Sequence, residues 1–395
     1  MRRPIGVLVL ALTALGGPAA AAPLADGGVN LPVIPSALAA GASCTAGSSA
    51  VAKAVPWEQR SLGLARVWRT AGGSAGGAGV TVAVVDTGVA AQAPALAGRV
   101  TSVGAADGDC VGHGTFVAGL IAAAPSGQVR FAGVASGARV LAVRGTDARG
   151  GATAASLAAG IRSAAQAGAE VIVVSPALAQ GSADLTGAVA YAAKRDALVI
   201  AAAAPDPTGP AGASPPPPRD YWPASDSGVL SVLDVDAKGS RPANAPSPLR
   251  ADLAAPGDGV VGVGPSGKGH YIGSGASLAA AYVAGTAALV RSAHPDLTAT
   301  QTAARLTGTA YPSDVPRLDP YAAVTAVRGE GTAPSTGAAA EGAVRLDTDA
   351  SATIAGHRAL AVASAGVAVG LGVAWVGAVF RLRRRGMTTT DSGAG

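Results

Sequence analysis

The sequence predicts an α/β fold, a parallel β-sheet covered by helices on both faces, with one C-terminal transmembrane helix added. Three observations predict it. Five apolar runs of strand length follow one another: Val80–Val85, Val140–Val143, Val171–Val174, Ala197–Ala203 and Val229–Val235. Stretches with helical character, near Phe116–Ala124, Ala152–Ala167 and Leu185–Lys194, lie between them. Continuous apolar runs, as opposed to alternating ones, mean strands buried on both faces, which is what parallel crossover units produce. The third observation is Ala359–Phe380, 22 residues without a charged side chain, ended by Arg381, Arg383, Arg384 and Arg385.

Taken in order, residues 1–22 read as a secretory signal. Arg2-Arg3 precedes an apolar run, Ile5–Leu15, and small residues continue to Ala22. Residues 23–55, rich in Ala, Gly and Ser, form an N-terminal extension too short to fold alone. Pro56-Trp57-Glu58-Gln59 opens an apolar-periodic stretch to Trp68, read as the first helix of a domain over 56–327. Within it, the Pro-rich segment Pro205–Pro218 reads as a loop inserted after a core strand. Residues 328–358 are a Gly/Ala/Thr-rich flexible linker. Ala359–Phe380 is long enough to span a bilayer. The arginines after it predict a cytoplasmic tail over 381–395, with everything before residue 358 outside. This is the orientation that the signal also requires.

Charge agrees with that layout. The formal charge is +5, and the two ends supply all of it, so residues 23–380 sum to zero. No nucleic-acid footprint is present, and the basic balance reports targeting. The hydrophobic content of 49% excludes a disordered chain. Two cysteines, Cys44 and Cys110, in an exported chain predict one disulfide, with two unpaired thiols as the alternative. No spacing suggests a metal site or a cofactor.

The chemistry lies in three short motifs. Val-Asp-Thr-Gly places Asp86 directly after the first apolar run, Gly-His-Gly-Thr places His113 at the start of a helical stretch, and Gly-Ala-Ser places Ser277 at the head of an apolar helix, Leu278–Val290. A nucleophilic hydrolase needs a hydroxyl to attack, an imidazole to take its proton and a carboxylate to orient the imidazole. The Asp…His…Ser order differs from the chymotrypsin and α/β-hydrolase orders. The bland alternatives are a turn-capping Asp86, a structural His113 and a helix-capping Ser277. His270, in Gly269-His270-Tyr271, is the rival base; His294 and His357 lie in less suitable places.

On these motifs the chain resembles the subtilisin-type serine proteases, and among them the mycosins, membrane-anchored subtilases associated with type VII secretion. The resemblance covers most of residues 40–382. It implies a subtilisin-like fold and Ser277, His113 and Asp86 as nucleophile, base and orienter. It also implies a protein or peptide substrate, no cofactor and type VII secretion membrane components as partners. Asp109-Cys110-Val111-Gly112-His113 fits the mycosin pattern in which a cysteine before the histidine pairs with one in the extension, here Cys44. Leu141–Gly145 and Ser175–Ala177 resemble the segments that pair with an extended peptide.

Departures from the family pattern are equally legible. Ala276 and Ala281 replace a threonine and a proline around the serine, and Val173 replaces an asparagine before Ser175. In Ala201-Ala202-Ala203-Ala204-Pro205-Asp206, Pro205 falls where the family carries its oxyanion-hole asparagine. Loss of that donor costs on the order of 10²–10³ in rate, a figure obtained in a subtilisin. The Ser277 backbone N–H remains as one donor, and Asp206 serves as a second only when a dry environment keeps it protonated. The readings are therefore a slow endopeptidase, a protease-fold scaffold for the secretion complex, and a secreted binding protein of unrelated α/β fold.

Overall fold

Valine and alanine alternate between two buried layers along the first strand, and this sets the plan of the domain. Val82 and Val84 point into one core and Ala83 and Val85 into the other, as the period of two requires. The computed structural model describes residues 29–73, 76–125, 131–207, 216–242 and 245–327, together with Trp375 and Gly377. The expected signal (1–22), linker (328–358) and tail (381–395) lie outside the described residues, as does the transmembrane stretch apart from Trp375 and Gly377. Chain contacts divide the protein into units 1–329 and 330–395, and every element below belongs to the first.

Seven parallel strands form the main sheet in the order β2-β3-β1-β4-β5-β6-β7. They are β1 (Thr81–Asp86), β2 (Val100–Ser102), β3 (Arg139–Arg144), β4 (Val171–Val174), β5 (Leu198–Ala202), β6 (Val229–Val235) and β7 (Leu253–Pro256). Two antiparallel strands, β8 (Val260–Val263) and β9 (His270–Gly273), make a separate hairpin. The five anticipated strands are all present, each bound within one residue of the expected one. The two sheet edges and the hairpin were not anticipated.

Helices cover both faces. On one side α4 (Ala154–Gln166) and α5 (Ala183–Ala193) pack on each other and on β1, β3, β4 and β5. Their starts are defined by local caps: Thr153 and Ser156 bond reciprocally, and Ser182 accepts from Leu185 N–H. On the other side lie α3 (His113–Ala122) and α6 (Ala276–Ala293). Both are buried almost throughout, and α6 crosses β4, β5, β6 and β7. Ala279, Ala280, Ala284, Gly285 and Ala288 keep α6 thin enough to lie against the sheet. A Cβ on Gly285 would meet Val134 Cβ at 2.7 Å. By length and composition α6 would also suit a bilayer, but it is the core helix of the domain.

The expected single first helix is two, α1 (Trp57–Ser61) and α2 (Leu64–Thr70). Trp57 Nε1–H donates to Gly259 O and Glu58 Oε1 accepts from Val261 N–H, so α1 is clamped to the hairpin. Two further helices, α7 (Ala299–Gly308) and α8 (Pro320–Thr325), close the domain beside α6 and α2.

The described part of the extension wraps this core. Ile34 N–H donates to Ile272 O, Leu38 N–H to Arg149 O, Thr45 N–H to Cys110 O, and Gly269 and His270 donate to Ser48 and Ala50. Cys44 and Cys110 are joined in a disulfide across 66 residues of sequence. In the chain-entropy picture, closing such a loop contributes about 4 kcal/mol. Replacing both cysteines by serine should lower the urea midpoint of the unreduced protein by a corresponding amount. A midpoint equal to the parent's would contradict the role of this strap.

Candidate active site

Parallel strands deliver all their following loops to one end of the sheet, and the candidate residues collect there. Asp86 is the last residue of β1, His113 the first of α3, Ser277 the second of α6, and Asp206 lies four residues beyond β5. His113 Nδ1 lies 2.9 Å from Asp86 Oδ2 and 3.1 Å from Oδ1, and its Nε2 lies 3.1 Å from Ser277 Oγ. Asp86, His113 and Ser277 are 1%, 5% and 0% exposed. A carboxylate on Nδ1 holds that nitrogen protonated and leaves Nε2 towards the hydroxyl. This series can move a proton off the hydroxyl while its oxygen attacks an electrophile.

Electrostatics couple the pair. Burial works to raise Asp86, but the adjacent His113, with help from Ser175 and the Thr87 N–H, leaves the carboxyl below its ordinary value. Burial likewise works to lower His113. Asp86 and Asp206, one at each ring nitrogen, overcome it and hold the imidazole well above its ordinary value of 6.5.

A residue that the motif reading passed over builds the loop under the histidine. Asp109 Oδ1 accepts from Gly112 N–H at 2.7 Å and Thr87 Oγ1–H at 2.8 Å. Its Oδ2 accepts from Thr115 N–H at 2.8 Å and Thr115 Oγ1–H at 2.7 Å. Thr87 Oγ1 in turn accepts from Gly114 N–H. Asp109 and Thr87 thus satisfy the N-terminal amides of α3, for which Gly112 offers no side chain. Four donors aimed at one buried carboxylate were the signal, visible in sequence only as an acid four residues before the histidine. Gly114 must be glycine because the helix start lies against the Asp86 loop: a Cβ there would meet Gly88 O at 2.0 Å.

Asp206, not Pro205, reaches the serine. Its Oδ1 accepts from Ser277 N–H at 3.1 Å, and its Oδ2 lies 2.5 Å from Ser277 Oγ and 3.1 Å from His113 Nε2. Its side chain is 8% exposed. Pro205 is the spacer before it. Gly275 makes room, since a Cβ there would meet Asp206 Oδ1 at 1.9 Å. The rival His270 is 3% exposed, accepts from Ala52 N–H at its Nδ1 (3.0 Å), and is held below its ordinary value by burial. It pins the extension and is remote from this cluster in bonding.

The expected edge Leu141–Gly145 is interior in its first part only: β3 lies between β1 and β2 there, with Leu141 pairing with Ala83 and Thr101 and Ala142 with Val84 and Ser102, whereas Val143 and Arg144 pair with β1 alone. Gly145 spends its N–H on Asp86 O at 2.8 Å. An apolar run reads alike at an edge and in an interior. Ser175–Ala177 leave the C-terminal end of β4 beside Asp86, and Val173 is a buried strand residue. Among the described residues no cluster of His, Cys, Asp and Glu could hold a metal ion.

Asp109→Ala should strip partners from two buried amides and two hydroxyls. At about 1–3 kcal/mol for each unsatisfied group, the domain should lose about 3 kcal/mol or more in urea denaturation. A loss below about 1 kcal/mol would contradict the network, since that is the least a single orphaned donor costs.

Comparison with known proteins agrees with this geometry. Residues 77–366 match the Subtilase family. Mycosin-4 of Mycobacterium tuberculosis is 35% identical over 311 residues, which are 68% of this chain and 68% of that protein. The structure of the MycP3 protease from the type VII (ESX-3) secretion system superposes with a TM-score of 0.62 at 33% identity, over 72% of this chain and 92% of that one. A chain in the periplasmic assembly from the ESX-5 inner membrane complex gives a TM-score of 0.64 at 29% identity, over 77% and 92%. With its parallel seven-stranded sheet and its Asp…His…Ser order, the chain belongs to the subtilase family and is similar to the mycosins.

Proposed function

We propose that this protein is a serine endopeptidase of a type VII secretion system, which cleaves peptide bonds of exported proteins. Ser277 Oγ attacks the scissile carbonyl, His113 Nε2 takes its proton and later gives it to the leaving amine, and Asp86 holds the imidazole in the required tautomer. The single observation that carries the reading is the continuous run Ser277 Oγ, His113 Nε2, His113 Nδ1, Asp86 Oδ2, with steps of 3.1 and 2.9 Å across the two contacts. The Ser277 N–H at the head of α6 supplies an oxyanion donor, and Ser175–Ala177 supply the edge that aligns the substrate. In this reading the catalytic domain sits outside a cell membrane, held by one C-terminal helix over 359–380, among the membrane components of the secretion system. Export of this part of the chain is supported by its disulfide.

A second reading, a protease-fold scaffold for the secretion membrane complex, is favoured by one observation: the Asp206 carboxyl lies on the Ser277 N–H, where a developing negative charge needs a donor. The two readings part in one experiment. The full-length chain in detergent is treated with a fluorophosphonate, alongside Ser277→Ala. The protease reading predicts labelling of the parent and none of the variant. No labelling of the parent under any condition would leave the scaffold.

A further inference from the structure

The Asp206 carboxyl makes more contacts in the site than an N-cap needs. A capping residue would require only Oδ1 on Ser277 N–H, the bond it makes at 3.1 Å. Oδ2 points the other way, into the triad. It is 3.1 Å from His113 Nε2 and 2.5 Å from Ser277 Oγ, while those two atoms are themselves 3.1 Å apart. Three polar atoms closing a triangle within hydrogen-bonding distance, all nearly excluded from water, hold a small number of protons in competing arrangements.

Two arrangements with the same proton count fit this triangle. In the first, His113 is an imidazolium, Asp206 is a carboxylate, and both Nε2–H and Oγ–H donate to Oδ2. The nucleophile's proton then faces away from its base, and a negative charge sits where the oxyanion must form. In the second, the proton has moved from Nε2 to Oδ2. Now Oδ2–H donates to Oγ, and Oγ–H donates to a neutral Nε2. The hydroxyl is aligned on its base, and Asp206 is a donor that turns to the carbonyl oxygen when substrate enters. Attack then forms the Oγ–C bond, passes the Oγ proton to Nε2, and leaves the oxyanion facing Ser277 N–H and Asp206 Oδ2–H. No other reactant is needed.

We propose that Asp206 and His113 share one proton and that peptide hydrolysis proceeds from the arrangement with the proton on Asp206, so that Asp206 is a catalytic residue of this protein. The proposal rests on the protease reading and deepens it. The ion-paired arrangement is the resting one, and the reaction rate carries the fraction of molecules in the other. The raised value of His113 agrees with a proton retained on the pair well above the ordinary histidine value of 6.5.

Other charges around the pair are accounted for. Asp86 faces His113 from β1, and Asp109, in the loop before α3, is raised above its ordinary value by burial, with Asp86 adding to the rise and the Gly112 and Thr115 donors opposing it. Arg144, at the end of β3, donates to Thr87 O at 2.6 Å. From β6, Asp234 is pushed up to about 6, burial first, with its Arg241 partner opposing and with Asp206 and Asp258 adding to the rise. The N-terminus of α6 brings a partial positive charge towards Asp206.

The sign of the pH dependence separates this proposal from an ordinary triad. When two coupled groups must hold one proton between them, activity lies between their two macroscopic values and falls on the alkaline side as the shared proton is lost. Asp206→Asn removes the sharing. Its amide donates permanently, the base value of His113 drops with the carboxylate gone, and activity should rise with pH to a plateau. The test is the second-order rate of fluorophosphonate labelling of the full-length chain across pH, for the parent, Asp206→Asn and Ser277→Ala. The expected result is a parent rate that falls on the alkaline side while the Asn variant rises and holds, on the order of 10²-fold above it there. Asp206→Ala is the second variant: it should also rise with pH, without that gain. Parent and Asn rates that rise together to one plateau would overturn the proposal, leave Asp206 as a cap, and keep the protease reading. Labelling of the Asn variant alone would also overturn it, making Asp206 a block. No Ser277-dependent labelling in any of them would overturn the protease reading and this proposal with it.

Discussion

The contact between Asp86 and His113 is the constraint around which the domain is organised. Both groups are almost wholly buried, and a charge in such a place is tolerated only when paired. Removing His113 would take away the cation beside Asp86, whereas His113 without Asp86 would still face Asp206 at Nε2. The sheet makes the pairing possible: β1 ends at Asp86 beneath the first turn of α3, and α6 starts at the same end with Ser277 in its first turn before running across the sheet. Residues separated by 27 and 164 positions meet because parallel crossovers return each loop to one edge.

The surroundings of that contact show how its geometry is kept. Asp109 and Thr87 consume the amides at the start of α3, so the histidine stands on a satisfied helix end and not on a fraying one. Cys110, next to Asp109, is tied through Cys44 to the extension. The extension is in turn laced to the β8–β9 hairpin through Ile34, Ser48, Ala50 and Ala52. A covalent strap and a hydrogen-bonded carboxylate therefore act on neighbouring residues of one loop. Loosening the extension should be felt at the histidine, through contiguous bonds.

Legibility in the sequence follows from how each feature is encoded. The five anticipated strands were readable because burial on both faces leaves unbroken apolar runs rich in β-branched residues. β2 and β7 were not: β2 is three residues long, and β7, Leu253–Pro256, carries no β-branched residue and ends in proline. The hairpin escaped because Gly262, Gly264 and Gly269 break its pattern. The triad letters were readable from their motifs, but the choice of His113 over His270 becomes physical only with the fold, where His270 accepts an amide from the extension. That Leu141 and Ala142 lie between two strands was not legible, because strand character says nothing about which neighbours a strand has. Asp206 was placed one residue from where the family pattern led: Pro205 has no N–H and no polar side chain, and the next residue reaches the serine. Asp109 was invisible as a network, since its four donors come together only when α3 folds.

A direct observation of the protons on His113 bears most closely on this account. Nitrogen NMR of the histidine-labelled protein, followed across pH and assigned with a His113→Gln variant, reads both ring nitrogens. The account predicts a protonated Nδ1 throughout the folded range and an Nε2 that loses its proton only well above the ordinary histidine value of 6.5. A bare Nδ1, or an Nε2 that titrates at or below that ordinary value, would contradict an imidazole held between two carboxylates.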